Sequence, residues 1–287
     1  MRDLRIAAIR LVCRNVARSA RFYEEAFGCA PIEAMDPERA AAPVIGLGAE
    51  RLQLVAATKG PERADPEGED GGAAPSNAST FQHCAIIVSR MEAAMEKLSA
   101  VDGWTAISVA GPERLPKASG GATAFKFRDP DGHPLEFLEF PEDAVPERWR
   151  DKMADGPCLG IDHSAITVAN VDRSIAFYQA LGFRLAGRQR NEGAEQGRMD
   201  GLGPFALCDV VTLKPPGDGA PHLELLGYGD PAVVETRVAD GSPLATTLLL
   251  EGMVPRHGLL RDPDGHRLQP MTGRRRMDAV ARLCSPK

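Results

Sequence analysis

LGIDHSAITVANVDRSIAFYQALGF (residues 159–183) lies without gaps on LRIAAIRLVCRNVARSARFYEEAFG (residues 4–28), and both carry R-S-x-x-F-Y, at 173–178 and 18–23. Self-similarity of this length decides the architecture before any single motif does. Apolar residues alternate along 161–168, which predicts a strand, and Val171, Ile175, Tyr178 and Leu181 recur at helical spacing, which predicts a helix after it. Asn170 or Asp172 is placed to cap that helix. FQHCAIIVSRMEAAMEKLSAV (81–101) repeats the plan: HCAIIV matches HSAITV, and Met91, Met95 and Leu98 mark one helix face. Three units begin alike.

Each unit then runs into short strands, ending at RLQLVAA (51–57), HPLEFLEF (133–140), HLELLGY (222–228) and HRLQPM (266–271). The fourth is degraded at its front: ATTLLLEG (245–252) serves as an opening strand, and no helix fits between it and the following turn. The expected fold is α+β, built from repeated β-α-β-β-β units that pair into curved mixed sheets with helices outside. Segment 1–142 holds the first pair of units (4–58 and 79–141), segment 157–273 the second (157–229 and 241–273), and 274–287 is a tail. The Gly-, Pro- and charge-rich stretch 59–79 reads as an exposed or disordered linker, and 141–157 as a surface connection.

Composition bounds the function. A chain of 287 residues with 43% hydrophobic content can bury a large core, and 34 basic against 40 acidic residues give a net charge of -6. That balance offers no general attraction to nucleic acid or anionic membrane, and the run Arg274, Arg275, Arg276 reads as a solvated tail. Cys13, Cys29, Cys84, Cys158, Cys208 and Cys284 form no C-x-x-C pair, so reduced thiols are expected. The apolar stretch at the N-terminus is too short and interrupted for a signal peptide, and no run is long enough to span a bilayer, so a cytoplasmic location is expected.

FRDPDGHPLEFLEF (127–140) and LLRDPDGHRLQPM (259–271) share a turn but differ seven residues after its first Asp, where Glu136 faces Gln269. Pro fixes φ and Asp-Gly tolerates a positive φ, so both turns read as structural. His133 and His266, just beyond them, are expected to be exposed turn-edge residues. His257 has no clear partner. Phe22, Tyr23, Phe177 and Tyr178 fall at helical spacing and read as core. Arg188 and Arg190 are candidates for a substrate carboxylate or phosphate, with surface solvation the safer reading. No glycine-rich phosphate loop, nucleophile elbow or nucleotide-binding fingerprint is present.

The F-Y-x-x-x-x-G run after the first helix and D-P-D-G before the final strand resemble the vicinal oxygen chelate superfamily, which includes glyoxalase I, methylmalonyl-CoA epimerase, extradiol dioxygenases and bleomycin resistance proteins. The resemblance covers about Leu4 to Thr272 and implies a metal held by the first and last strands of two paired units. Strand alternation sets Glu136 opposite Leu135 and Phe137, His83 opposite Cys84 and Ile86, His163 opposite Ser164 and Ile166, and Glu224 opposite Leu223 and Leu225. The corresponding positions of units one and four are Ala8, Gln53, Thr247 and Gln269.

Pairing in chain order would leave two incomplete sites. Pairing two with three and one with four would collect His83, Glu136, His163 and Glu224 in one cavity, and pairing across two chains would make a homodimer. The resemblance then implies a divalent ion (zinc, nickel, cobalt, manganese or iron(II)) that polarises a substrate oxygen while Glu136 or Glu224 moves a proton. The function implied is a metal-dependent lyase, isomerase or dioxygenase acting on a small molecule with oxygens on adjacent atoms. Extradiol cleavage fits less well, because unit four offers only Thr247 and Gln269. The alternative is a metal-free protein that sequesters a small molecule, as bleomycin resistance proteins do. Both histidines and both glutamates in one shared cavity would favour the enzyme; separated His-Glu pairs would favour the binder.

Overall fold

The computed structural model describes residues 4–33, 42–58, 74–116, 120–217, 221–253 and 258–271. His257, most of the 59–79 linker, Cys284 and the tail with its three arginines lie outside them. Unit one comprises β1 (Arg5–Cys13), α1 (Val16–Phe27), β2 (Ala30–Ile32), β3 (Val44–Leu47) and β4 (Glu50–Ala56). Unit two comprises β5 (Gln82–Val88), α2 (Met91–Ser99), β6 (Thr105–Ala106), β7 (Glu113–Arg114), β8 (Thr123–Arg128) and β9 (Pro134–Glu139). A short helix, α3 (Glu147–Arg150), lies in the connection to unit three, which contains β10 (Cys158–Thr167), α4 (Val171–Leu181), β11 (Arg184–Gly193), α5 (Ala194–Met199), β12 (Ala206–Lys214) and β13 (His222–Asp230). Unit four is β14 (Thr246–Glu251), β15 (Leu260–Arg261) and β16 (Arg267–Pro270), with no helix among its described residues.

The repeated sequence produces repeated local structure. Asn15 and Asn170 accept hydrogen bonds from the backbone N–H of Arg18 (3.0 Å) and Arg173 (2.9 Å), so each caps its helix three residues ahead. Both helices stop at a left-handed glycine, Gly28 (φ 77°) and Gly182 (φ 108°), as a side chain at either position would be strained.

Strand pairing crosses between the halves of the chain. One sheet runs β15-β16-β14-β1-β4-β3-β2, and the other β11-β12-β13-β10-β5-β9-β8-β6 with β7 beside β8. Units one and four share the first, units two and three the second, so each sheet draws strands from both 1–142 and 157–273. A single apolar cluster on the helix side joins Phe22, Tyr23, Leu98 and Tyr178 to Leu135, Phe137, Leu223 and Leu225. Phe22, Tyr23 and Tyr178 are buried and Phe177 packs at the edge, as helical spacing indicated.

Units adjacent in the chain are held by a different contact, in which the turn of one docks on the helix start of the other. Asp131 accepts from the Ser19 hydroxyl (2.5 Å) and the Arg14 backbone N–H (2.9 Å), and Asp129 accepts from the Tyr23 hydroxyl (3.0 Å). The second half repeats this, with Asp264 taking the Ser174 hydroxyl (3.3 Å) and Ala169 N–H (3.2 Å), and Asp262 the Tyr178 hydroxyl (3.1 Å). The same docking corrects the expectation for His133 and His266, which are 1% and 5% exposed. The His133 ring sits against Asp129 (Nδ1 to Oδ2, 2.9 Å), and His266 Nε2 meets the Thr167 carbonyl (2.9 Å). A helix from another unit covers the turn edge, which the turn's own residues do not reveal.

Burial alone would raise the Asp129 carboxyl, but His133 and the hydrogen bonds of His133 and Tyr23 outweigh it and hold the group below the usual carboxylate range. A depressed folded pKa contributes stability above the unfolded value of about 3.9 and loses it as pH falls through the folded value. Denaturant curves of the wild type and Asp129→Asn are therefore expected to differ at neutral pH and converge below about pH 4. Asp131→Ala, which removes the acceptor of the Arg14 backbone N–H and leaves the buried Ser19 hydroxyl only the Asn15 carbonyl (3.0 Å), is expected to lower unfolding free energy by about 1–3 kcal/mol, measured by urea titration.

Candidate metal centre

The centre is set by strand register. β5 and β10 run antiparallel, with Ala85 level with His163 and His83 level with Ala165. On one flank β9 places Glu136 beside Ala85; on the other β13 places Glu224 beside Ala165. Residues level on adjacent strands project to the same face, so two rows form there, Glu136-Ala85-His163 and His83-Ala165-Glu224. An alanine in the middle of each row keeps the floor low between the long polar side chains.

All four side chains line one cavity of about 600 Å³. His83 Nε2 is 3.0 Å and His163 Nε2 3.6 Å from the same oxygen, Glu136 Oε2, and Glu224 Oε2 is 3.6 Å from His163 Nε2. One ligand atom from each of His83, Glu136 and His163 falls within 4.8 Å of the others. Glu224 approaches from the far side of His163 and is outside that tightest set.

The surroundings suit a cation. His83 Nε2 and His163 Nε2 are buried and make no directed hydrogen bond, although a carboxylate oxygen is close, because neither ring aims an N–H at it. A buried polar nitrogen without a partner is costly, and two that converge with a carboxylate are the donors a divalent ion takes. Burial lowers the pKa of His83 despite Glu136, favouring the neutral imidazole that can ligate. Burial would lower His163 too, but Glu224, Asp162 and Glu136 outweigh it and raise it well above its ordinary value, so this position draws positive charge. Glu136 and Glu224 are both held below the carboxylate range: burial opposes ionisation, but Lys126 and His83 overcome it at Glu136, and His163 and His222 at Glu224.

Three contributors were not visible in the sequence. Asp162 precedes His163, and strict alternation would turn it to the helix side. The register instead slips between Ile161 and His163, a bulge that brings Asp162 Oδ2 to 3.2 Å from His163 Nδ1. Trp149 of α3, fully buried, donates from Nε1 to the other Asp162 oxygen (3.2 Å). Lys126 of β8 lies buried in the cavity wall, its Nζ 2.6 Å from Asp200 and 4.0 Å from Glu136 Oε1. Burial would lower the Lys126 pKa, but Asp200 and Glu136 reverse this and raise it, so the side chain is an ammonium. His222, whose parity pointed inward, does line the cavity, with Nε2 3.3 Å from Glu224 Oε1. Arg188 and Arg190 do not: they are exposed and pair with Asp172 and Asp209.

The other sheet carries a different chemistry. Arg10, level with both Gln53 and Thr247, donates to Gln53 Oε1 (2.8 Å) and Gln269 Oε1 (2.5 Å). A guanidinium thus meets the two amides that stand where the carboxylates stand in units two and three. The difference between Glu136 and Gln269 in the two turn-strand copies is a difference between a cation-attracting site and a site that contains its own cation.

Comparison with known proteins agrees with this architecture. A search of curated proteins finds no match. Among solved structures, glyoxalase I from Zea mays superposes with a TM-score of 0.58 at 17% identity, covering 93% of this chain and 91% of that one. A protein of Bacillus subtilis subsp. subtilis str. 168, provisionally described as a dioxygenase, gives a TM-score of 0.51 at 13% identity, covering 92% and 84%. Identities this low show a shared fold. A family model matches residues 5–137 and 160–269, and the chain belongs to the Glyoxalase/Bleomycin resistance protein/Dioxygenase superfamily.

Proposed function

We propose that the chain is a metal-dependent lyase or isomerase acting on a small molecule with oxygens on adjacent atoms. One observation carries this reading: buried ligand atoms of His83, Glu136 and His163 converge in a cavity that also holds Glu224, with His83 Nε2 and His163 Nε2 facing a carboxylate oxygen without making a directed hydrogen bond. A bound divalent ion would supply Lewis acidity, stabilising negative charge on a substrate oxygen as a neighbouring carbon loses its proton. His83, Glu136, His163 and Glu224 would hold the ion. Asp162 fixes the His163 ring by accepting from Nδ1, which turns Nε2 toward the cavity. Leu138, Met199, Val210 and Leu226 line the same space and limit water around the reacting atoms. A glutamate facing the cavity is the group placed to carry the proton.

Two imidazoles and one carboxylate are also the donor set of iron(II) oxygenases. Oxygen-dependent cleavage is accordingly the second reading, supported by Glu224 lying outside the tightest set.

Elemental analysis of untagged protein is expected to find near-stoichiometric divalent metal, lost in a His83→Ala, His163→Ala double variant that still shows native circular dichroism. Iron in place of zinc, nickel, cobalt or manganese would favour the oxygenase. Absence of metal after reconstitution would overturn both enzyme readings and leave small-molecule sequestration. Asp162→Asn is expected to weaken metal affinity by about 10–100-fold, because His163 loses the carboxylate that orients it; unchanged affinity in a chelator competition would remove Asp162 from the centre.

A further inference from the structure

The β-α-β-β-β plan has no helix between its second and third strands, yet unit three carries α5 between β11 and β12. This helix is fastened to unit two. Arg198 donates to both oxygens of Glu113 (2.5 and 3.0 Å), the Ser108 hydroxyl to the Met199 carbonyl (2.9 Å), and the Val109 N–H to the Arg198 carbonyl (3.0 Å). Two of its side chains, Gln196 and Met199, thereby become part of the cavity wall. Met199 belongs to an apolar cluster with Ala122 and Leu138, flanked by Leu115 and Phe140, and all five line the cavity. Gln196 is 5% exposed; its Nε2 donates to Asp200 Oδ2 (2.5 Å), and its Oε1 has no partner among the described residues.

We infer that Gln196 is a specificity-determining residue: its Oε1 accepts from an uncharged hydroxyl or amide N–H that the substrate carries on an apolar arm, away from the two oxygens that face the histidines. This rests on the metal-dependent reading above and deepens it by naming a substrate class. The amide cannot turn over to satisfy itself. Asp200 already accepts from the Lys126 ammonium on Oδ1 (2.6 Å) and from the Tyr228 hydroxyl on Oδ2 (2.8 Å), so a reversed Gln196 would set two acceptor oxygens face to face at 2.5 Å. Locked this way, Oε1 is a buried acceptor in need of a donor, and leaving such a group unpaired is costly. Asp200 and Lys126 stand between Gln196 and Glu136, which sets the acceptor apart from the metal ligands. A site built around a fixed acceptor favours a ligand that brings the matching donor over one that lacks it.

The test is a calorimetric titration of the full-length, cobalt(II)-loaded protein with straight-chain hydroxamic acids, which place two oxygens on adjacent atoms. Chains of increasing length are compared in three forms, ending in a methyl group, a hydroxyl or a methyl ether. The ether can accept a hydrogen bond but not donate one, so it separates a lone acceptor in the wall from a merely polar one. At one chain length the wild type is expected to bind the hydroxyl form about tenfold more tightly than the other two. Gln196→Met, which keeps the length of the side chain and removes the acceptor, is expected to lose that preference while binding the methyl form as the wild type does. No hydroxyl preference in the wild type at any length, a result that needs no variant, would overturn the assignment and leave Oε1 to a buried water. A preference that survives in Gln196→Met with native circular dichroism would overturn it too. Both outcomes leave the metal-dependent reading standing, because the methyl form still binds. A wild type that takes up neither cobalt nor any hydroxamate would overturn that reading, and this assignment with it.

Discussion

The antiparallel pairing of β5 with β10 is the constraint on which the rest of the molecule depends. It joins unit two to unit three in one sheet and sets Ala85 beside His163 and Ala165 beside His83. Sliding the two strands by one residue would send every side chain to the opposite face. That would bury the histidines among the helices and expose Ile86 and Ile166, which now belong to the main apolar cluster. The apolar face therefore enforces the register, and the register brings the polar groups together. Packing on one side of the sheet and chemistry on the other are two results of one alignment.

Charge is handled differently in the two sheets. The sheet of units two and three gathers Glu136, Glu224 and Asp162 around two imidazoles, an arrangement that attracts a cation and is costly without one. The sheet of units one and four meets the same geometric opening with Arg10 between two glutamines, and needs nothing from outside. Lys126 brings a permanent charge into the first site as well, at a desolvation cost on the order of several kcal/mol per buried ion. Asp200, Gln196 and Tyr228 offset that cost with short contacts. Such a network beside one glutamate and not the other breaks the symmetry that duplication would produce.

Much of this was legible in the residues alone. The gap-free repeat identified the units, and period-two alternation put His83, Glu136, His163 and Glu224 on the faces they occupy, because the face a side chain takes within its own strand is a local property. Helix starts were local too, and Asn170 does cap α4. His133 and His266 went astray because their exposure depends on helices from other units, and Asp162 because a bulge, an exception to alternation, aims it.

What the sequence by itself determined is the set of parts: four units, their strand faces, and the residue types able to hold a cation. Only the tertiary structure decided which units share a sheet, and hence that four candidate ligands meet in one cavity. It also decided that Lys126 and Asp200, 74 residues apart, close a pair beside one glutamate. The physical reason is that periodicity records how a strand presents its own side chains, while the neighbour it hydrogen-bonds is chosen by long-range burial summed over the whole core.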